Sequence, residues 1–251
     1  MSGIGQTLQL DGVRFSYGAM PMAFDLSVDA SETVAVMGPS GSGKSTLLNL
    51  IAGFETPAGG RILVGGRDIT SERPSDRPVS MIFQENNLFG HLDVRSNVAL
   101  GRSPSLRLDA ADHAAVVAAL DRTGLGDKAD RLPAQLSGGE RQRAALARAL
   151  IRRRPVLLMD EPFASLGPAL RADMAALVAD LQAETGMTML LVTHAPDDAA
   201  LLAARTVFVE DGRIAADGPT ATILGDDGPA AVRRYLGERG GNAFVPARGH
   251  N

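Results

Sequence analysis

Gly38-Pro39-Ser40-Gly41-Ser42-Gly43-Lys44-Ser45-Thr46 decides the fold. It comes straight after an apolar run at residues 33–37 (TVAVM) and leads into residues 47–54 (LLNLIAGF), whose pattern is helical. A G-x-x-x-x-G-K-S pattern in that strand-to-helix setting is a phosphate loop. Its glycines let the backbone wind until successive N–H groups face one concavity, and the following helix adds about half a positive charge at its N-terminus. Gly38, Ser40, Gly41, Gly43 and Thr46 belong to this nucleotide cradle. Lys44 is expected on the β- and γ-phosphates and the Ser45 hydroxyl on Mg2+.

Residues 156–161 (VLLMDE) make a second strand that is apolar on both faces and ends in two acids. Ligands of such sheets sit at the carboxyl edge of the strands, which is where Asp160 and Glu161 fall. Two carboxylates there divide into two tasks. Asp160 is expected to orient Mg2+ through water, and Glu161 to polarise the water that attacks the γ-phosphate.

Apolar runs at 79–83 and 188–192 complete a set of strands buried on both faces, the pattern of a parallel sheet covered by helices. Ahead of it, residues 8–17 and 23–28 alternate polar and apolar as half-buried antiparallel strands do, with a turn at 18–21. Asp211-Gly212 between strand-like runs signals another hairpin. Residues 109–123 place Val116, Val117 and Leu120 at helical spacing behind acidic caps. Little strand pattern occurs from 87 to 154, so a helical subdomain is expected there, inserted in one α/β domain spanning 1–236. Residues 237–251, rich in Gly and Arg, are expected to form a loose tail.

Composition narrows the function. With 45% hydrophobic and 22% charged residues the chain can bury a sizeable core, and 25 basic against 29 acidic residues leave a net charge of -4, without the basic footprint of a nucleic-acid binder. The absence of cysteine removes disulfides, thiolate metal sites and cysteine nucleophiles. Neither a leader pattern nor a run of roughly 18 apolar residues occurs, so the expectation is a chain that is neither exported nor membrane-spanning by itself.

Leu136-Ser137-Gly138-Gly139-Glu140-Arg141-Gln142-Arg143 opens a further helix, with Ser137 and Glu140 spaced as a capping box. Two glycines at a helix start leave amides with no side chain above them, a second anion-binding surface. Taken in order, the phosphate loop, Gln84, the 136–143 motif, Asp160-Glu161 and His194 make the chain resemble the ATP-binding-cassette ATPases over residues 8–236. The resemblance implies a RecA-like P-loop core with an antiparallel β region and an inserted helical subdomain. It also implies a head-to-tail pair in which Ser137, Gly138 and Gly139 of one copy meet the γ-phosphate of ATP held by Gly43, Lys44 and Ser45 of the other. His194 then matches the switch histidine on the γ-phosphate, and Gln84 the sensor of Mg2+ and water; Tyr17 matches the aromatic that stacks on adenine, with Phe15 close by in the same strand. Two positions depart from the family pattern. Glu140 stands where Gln is usual, and the loop after Glu161 reads Ala164-Ser165-Leu166-Gly167 where Ser-Ala-Leu-Asp is usual.

Within that family, residues 78–101 and 21–28 resemble most closely the ATPase subunits of bacterial thiamine importers; importers of iron, polyamine and molybdate are the other candidates, and their ATPases often carry an added β domain for which the tail is too short. A soluble cassette ATPase acting on nucleic acid or ribosome is the alternative of a different class. The importer reading implies a membrane permease docked at residues 84–92, a periplasmic substrate-binding protein in the full complex, and a peripheral position on the cytoplasmic face of the bacterial inner membrane. Leu88 and Phe89 suit either an anchor for that permease or the core of the helical subdomain.

Overall fold

Two-faced hydrophobicity sets the architecture. In the computed structural model, which describes residues 3–18, 20–85 and 87–237, the elements follow as β1 (Leu8–Tyr17), β2 (Met20–Val28), β3 (Thr33–Met37), α1 (Lys44–Ala52), β4 (Gly59–Val64), β5 (Arg67–Asp68), β6 (Val79–Ile82), α2 (Val94–Ala99), α3 (Ala110–Arg122) and α4 (Gly138–Ile151). Then come β7 (Val156–Asp160), α5 (Pro168–Thr185), β8 (Thr188–Val192), α6 (Pro196–Leu202), β9 (Arg205–Glu210), β10 (Arg213–Pro219), α7 (Thr220–Ile223) and α8 (Ala230–Gly237). The strands form one sheet in the order β5-β4-β1-β2-β10-β9-β3-β8-β7-β6. Its β9-β3-β8-β7-β6 part is parallel, while β5-β4-β1-β2 is antiparallel.

Alternate residues of the central strands feed opposite cores. Val156, Leu158, Leu190 and Val192 join α1 and the antiparallel strands on one face. Leu157, Met159, Met189 and Leu191 meet α4 and α5 on the other. Each such fully buried side chain is worth about 1.5–3 kcal/mol of transfer free energy. Helices α2, α3 and α4 bury Val94, Val98, Val116, Leu120 and Ile151 among themselves. Helix α4 therefore serves two cores, with Ala145, Leu146 and Ala149 turned to the sheet.

Several local expectations change. The first hairpin turns more tightly than the 18–21 reading, because Met20 and Pro21 already pair with Tyr17 and Ser16. Helix α3 has the anticipated acidic cap, an Asp109/Asp112 capping box, but Val117 is 45% exposed while Val116 and Leu120 are buried. A four-residue spacing keeps 116 and 120 on one face; 117 lies about 100° round from 116. Gly237 ends α8, and the rest of the 237–251 segment lies outside the described residues.

Arg77 was not singled out by the sequence, yet it is the largest of the fully buried side chains. Its guanidinium donates to the carbonyls of Leu50 (2.6 Å), Ile51 (2.8 Å), Thr70 (2.7 Å) and Glu72 (3.0 Å), closing the C-terminal end of α1 with a cation where the helix dipole is negative. Burial pulls its pKa below the usual arginine range, but the carbonyl cage keeps the charged form satisfied. Arg77→Ala is expected to cost roughly 3 kcal/mol, since carbonyls are left buried and unpaired. Urea unfolding of the two proteins checks this; a midpoint unchanged by the substitution would show that water replaces the guanidinium.

Candidate nucleotide site

Parallel register gathers the chemistry at one edge. Val36 pairs with Val192, Asp160 with Val192, and Ile82 with Met159. The segments that leave the ends of β3, β7, β8 and β6 therefore emerge side by side, carrying the phosphate loop, Glu161, His194 and Gln84. Gln84 itself is exposed.

The phosphate loop is built on close approach. Gly38 has φ 147°, and a Cβ there would lie 2.0 Å from the Val209 carbonyl oxygen of β9, so no side chain fits. Gly43 caps α1 at φ 106°. Lys44, 5% exposed, folds back so that Nζ donates to the carbonyls of Gly38 (2.9 Å) and Pro39 (2.7 Å). Ser40 and Gly41 stand exposed at the tip, Thr46 is half-buried, and the buried Ser42 hydroxyl has no hydrogen-bond partner among the described residues. A cleft of about 280 Å3 runs from this loop to Tyr17, between Gly41, Gly43, Ser45, Thr46 and the methionines Met20 and Met22. Tyr17 is 68% exposed, whereas Phe15 packs partly against the core, which separates the two aromatics of β1.

Asp160 ends β7, with the Ser45 hydroxyl close enough to its carboxylate to favour the charged form. Burial raises its pKa above the carboxylate range, and the neighbouring Glu161 charge pushes the same way against Ser45, Lys44 and His194. Glu161 takes φ 47°, a left-handed conformation that costs a non-glycine residue about 1 kcal/mol or more. Its N–H donates to Val192 O at 3.0 Å, which holds that geometry. The result aims the carboxylate at His194, with Glu161 Oε1 and His194 Nε2 2.6 Å apart. Beyond the pair, Thr193 Oγ1 donates to Asp198 (3.0 Å), and Arg171 Nε lies 3.8 Å from the other oxygen of Asp198.

Ser137, Gly138 and Gly139 start α4 elsewhere and do not line the cleft around Lys44. The capping box forms: Glu140 N–H donates to Ser137 Oγ at 3.3 Å, and Ser137 N–H to Glu140 Oε2 at 2.7 Å. Glu140 also pairs with Lys128 at 2.7 Å, an ion pair that Gln could not make. The Lys128 ammonium, aided by the Ser137 N–H, holds the Glu140 carboxyl down to about 2. Leu88 packs between two cores, while Phe89 is 49% exposed beside a groove of about 370 Å3 that also contains Phe83, Leu100, Arg148 and Arg152. Sequence reasoning missed Lys128, Arg171, Asp198 and Tyr235, whose hydroxyl lies 3.1 Å from His194 Nδ1. No spacing rule connects residues so far apart in the chain.

The ABC transporter family profile matches residues 22–164. "Thiamine import ATP-binding protein ThiQ" of Mesorhizobium japonicum is 60% identical over 243 residues, 97% of this chain and 96% of its own length. The protein of that name from Chelativorans sp. is 62% identical over 236 residues (94% and 96%), and that from Yersinia pestis 50% over 230 (92% and 97%). An ATP-binding cassette solved as a dimer in a post-hydrolysis state with ADP and phosphate superposes with a TM-score of 0.75 at 28% identity, covering 85% of this chain and 98% of that one. With a profile matched across more than half its length and such identity across nearly all of it, the chain belongs to the ABC transporter family, and its mixed sheet is that family's P-loop ATPase fold.

Proposed function

We propose that this chain is the ATP-hydrolysing subunit of an importer for thiamine or a phosphorylated thiamine. The observation that carries the cargo is that relatives 50–62% identical over at least 92% of this chain are named as thiamine import ATP-binding proteins. Residues 1–236 act as one nucleotide-binding domain with a helical subdomain near 87–154. The chain works as a head-to-tail pair under a membrane permease, with a periplasmic binding protein delivering cargo, on the cytoplasmic face of the bacterial inner membrane. In keeping with a peripheral subunit, no helix among the described residues is long and apolar enough to cross a membrane. Phe89 and its groove would receive the permease.

Within the site, Tyr17 would stack on adenine while Lys44 and the loop amides bind phosphate oxygens. The donor set around Asp160 fits Mg2+: hydroxyl of Ser45, carboxylate of Asp160 and amide oxygen of Gln84 are all hard oxygens. Burial raises the pKa of Asp160, and a cation beside it would favour its charged form. Held by Ser45, Asp160 and Gln84, Mg2+ would supply positive charge that offsets the charge on the phosphate oxygens. Glu161 accepts a proton from the attacking water, and His194 Nε2 turns to the γ-phosphate. Ser137, Gly138 and Gly139 of the second copy close the site with the N-terminus of α4.

Uptake of labelled thiamine in cells carrying the unaltered protein or Lys44→Ala, at equal expression, tests the cargo. High-affinity uptake lost in the variant is the expected result. Uptake that persists while the purified protein hydrolyses ATP would remove thiamine and leave the ATPase.

Gly167 bears on the pairing of sites. It is the N-cap of α5, and nothing lies within 4 Å of a Cβ built there, so Gly167→Asp fits and adds a capping carboxylate. The substitution is expected to change the Hill coefficient for ATP hydrolysis more than the affinity for MgATP. Steady-state titrations showing the reverse would take this loop out of inter-site communication.

A further inference from the structure

The reacting edge is completed by a helix that the phosphate-site motifs do not include. Helix α8 buries Val232 and Tyr235, and the Tyr235 ring meets Phe208 of β9 at 5.4 Å with planes 64° apart. Tyr235 is 6% exposed, and its hydroxyl lies 3.1 Å from Nδ1 of His194, on the opposite side of the imidazole from Glu161. The ring is thus gripped at both nitrogens, by a hydroxyl from α8 and a carboxylate from the end of β7.

These partners are not equivalent. An ionised carboxylate only accepts, so Nε2 must carry the proton to bond Glu161 at 2.6 Å. Neutral imidazole then leaves Nδ1 as an acceptor, and the group facing it must donate. A tyrosine hydroxyl does so without adding charge, and it can rotate to accept if the ring becomes doubly protonated.

We propose that Tyr235 is a positioning residue: its hydroxyl donates to Nδ1 of His194 and, with Glu161 selecting the Nε2–H tautomer, holds the ring so that this N–H faces the reacting edge. The significance for hydrolysis rests on His194 meeting the γ-phosphate, as proposed above. For that contact the proton must already sit on Nε2, because a bare Nε2 would repel phosphate oxygens. Helix α8, built from the last described residues of the chain, thereby holds the ring of a residue just beyond the end of β8.

The test is Tyr235→Phe, which keeps the ring against Phe208 and removes only the hydroxyl. Nitrogen-15 spectra of the histidine rings, with His194 assigned among the four histidines by its loss in His194→Ala, report the tautomer directly. The unaltered protein should show Nε2 protonated and Nδ1 bare, and Tyr235→Phe should shift the His194 Nδ1 signal as its hydrogen bond is lost. Loss of an orienting outer partner predicts kcat lower by roughly 10-fold at unchanged KM for ATP. In the His194→Ala background, Tyr235→Phe should have no further effect. Ring signals identical in both proteins, or a loss of rate undiminished without His194, would overturn the proposal. An Nδ1 signal that shifts with no change in kcat would uphold the positioning contact and overturn instead the γ-phosphate role of His194.

Discussion

Glu161→Gln is expected to bind MgATP normally while hydrolysis falls about 10²- to 10⁴-fold, the range for removing a general base. The amide keeps the size of the carboxyl, and the φ of 47° is set by the backbone bond to Val192 and the neighbouring strands rather than by the side chain. An amide oxygen can still accept from His194 Nε2, so the local arrangement survives. What disappears is the capacity to take a proton from water. Because the γ-phosphate would persist between the copies, the variant should also accumulate as an ATP-bound dimer. Single-turnover hydrolysis and light scattering with and without ATP check both parts. A rate near normal would move the base to another group.

Lys44→Ala is expected to fail earlier, at binding. Nζ is held by the carbonyls of Gly38 and Pro39, so the cation is already lodged in the loop where phosphate would bind. A charge-assisted hydrogen bond is worth about 1.5–3 kcal/mol, so each bond lost to phosphate weakens ATP roughly 10- to 100-fold. Alanine also leaves those carbonyls without their donor. Titration with a fluorescent ATP analogue measures the loss, and affinity within a factor of two of the unaltered protein would contradict the phosphate contact. The two variants part cleanly: one holds nucleotide without consuming it, the other scarcely holds it.

Much of this was legible because the relevant physics is local. A phosphate loop needs a strand, a set of glycines and a helix in immediate succession, and residues 33–54 contain all three. Strands β7 and β8 each carry four successive apolar residues, 156–159 and 189–192, because both sheet faces are covered, which the sequence displays directly. The capping box at Ser137 and Glu140 spans only three residues and forms as its spacing indicates. Strand order is another matter. Nothing local says that β3 will lie between β8 and β9, or that β10 will join the antiparallel strands at Arg213 and Ala23. The grip of Tyr235 on His194 spans 41 residues, and burial of Arg77 contradicts the usual fate of arginine, so both required the folded chain. The side on which Val117 falls was decided by which helices α3 meets.

Hairpin tips are where proteins ordinarily accept insertions and drift in sequence. The Asp211-Gly212 tip should behave in the opposite way. Gly212 N–H donates to Ser42 O in the phosphate loop at 3.0 Å, while its carbonyl accepts from Ala23 N–H at 2.8 Å in β2. A Cβ on Gly212 would sit 2.6 Å from the Pro21 carbonyl oxygen. One residue thus bolts the strand pair bearing Tyr17 to the loop bearing Lys44. In a library of random variants selected for growth, this tip should tolerate change as poorly as a core strand, and tags or fused domains spliced there should cost the cell its cassette.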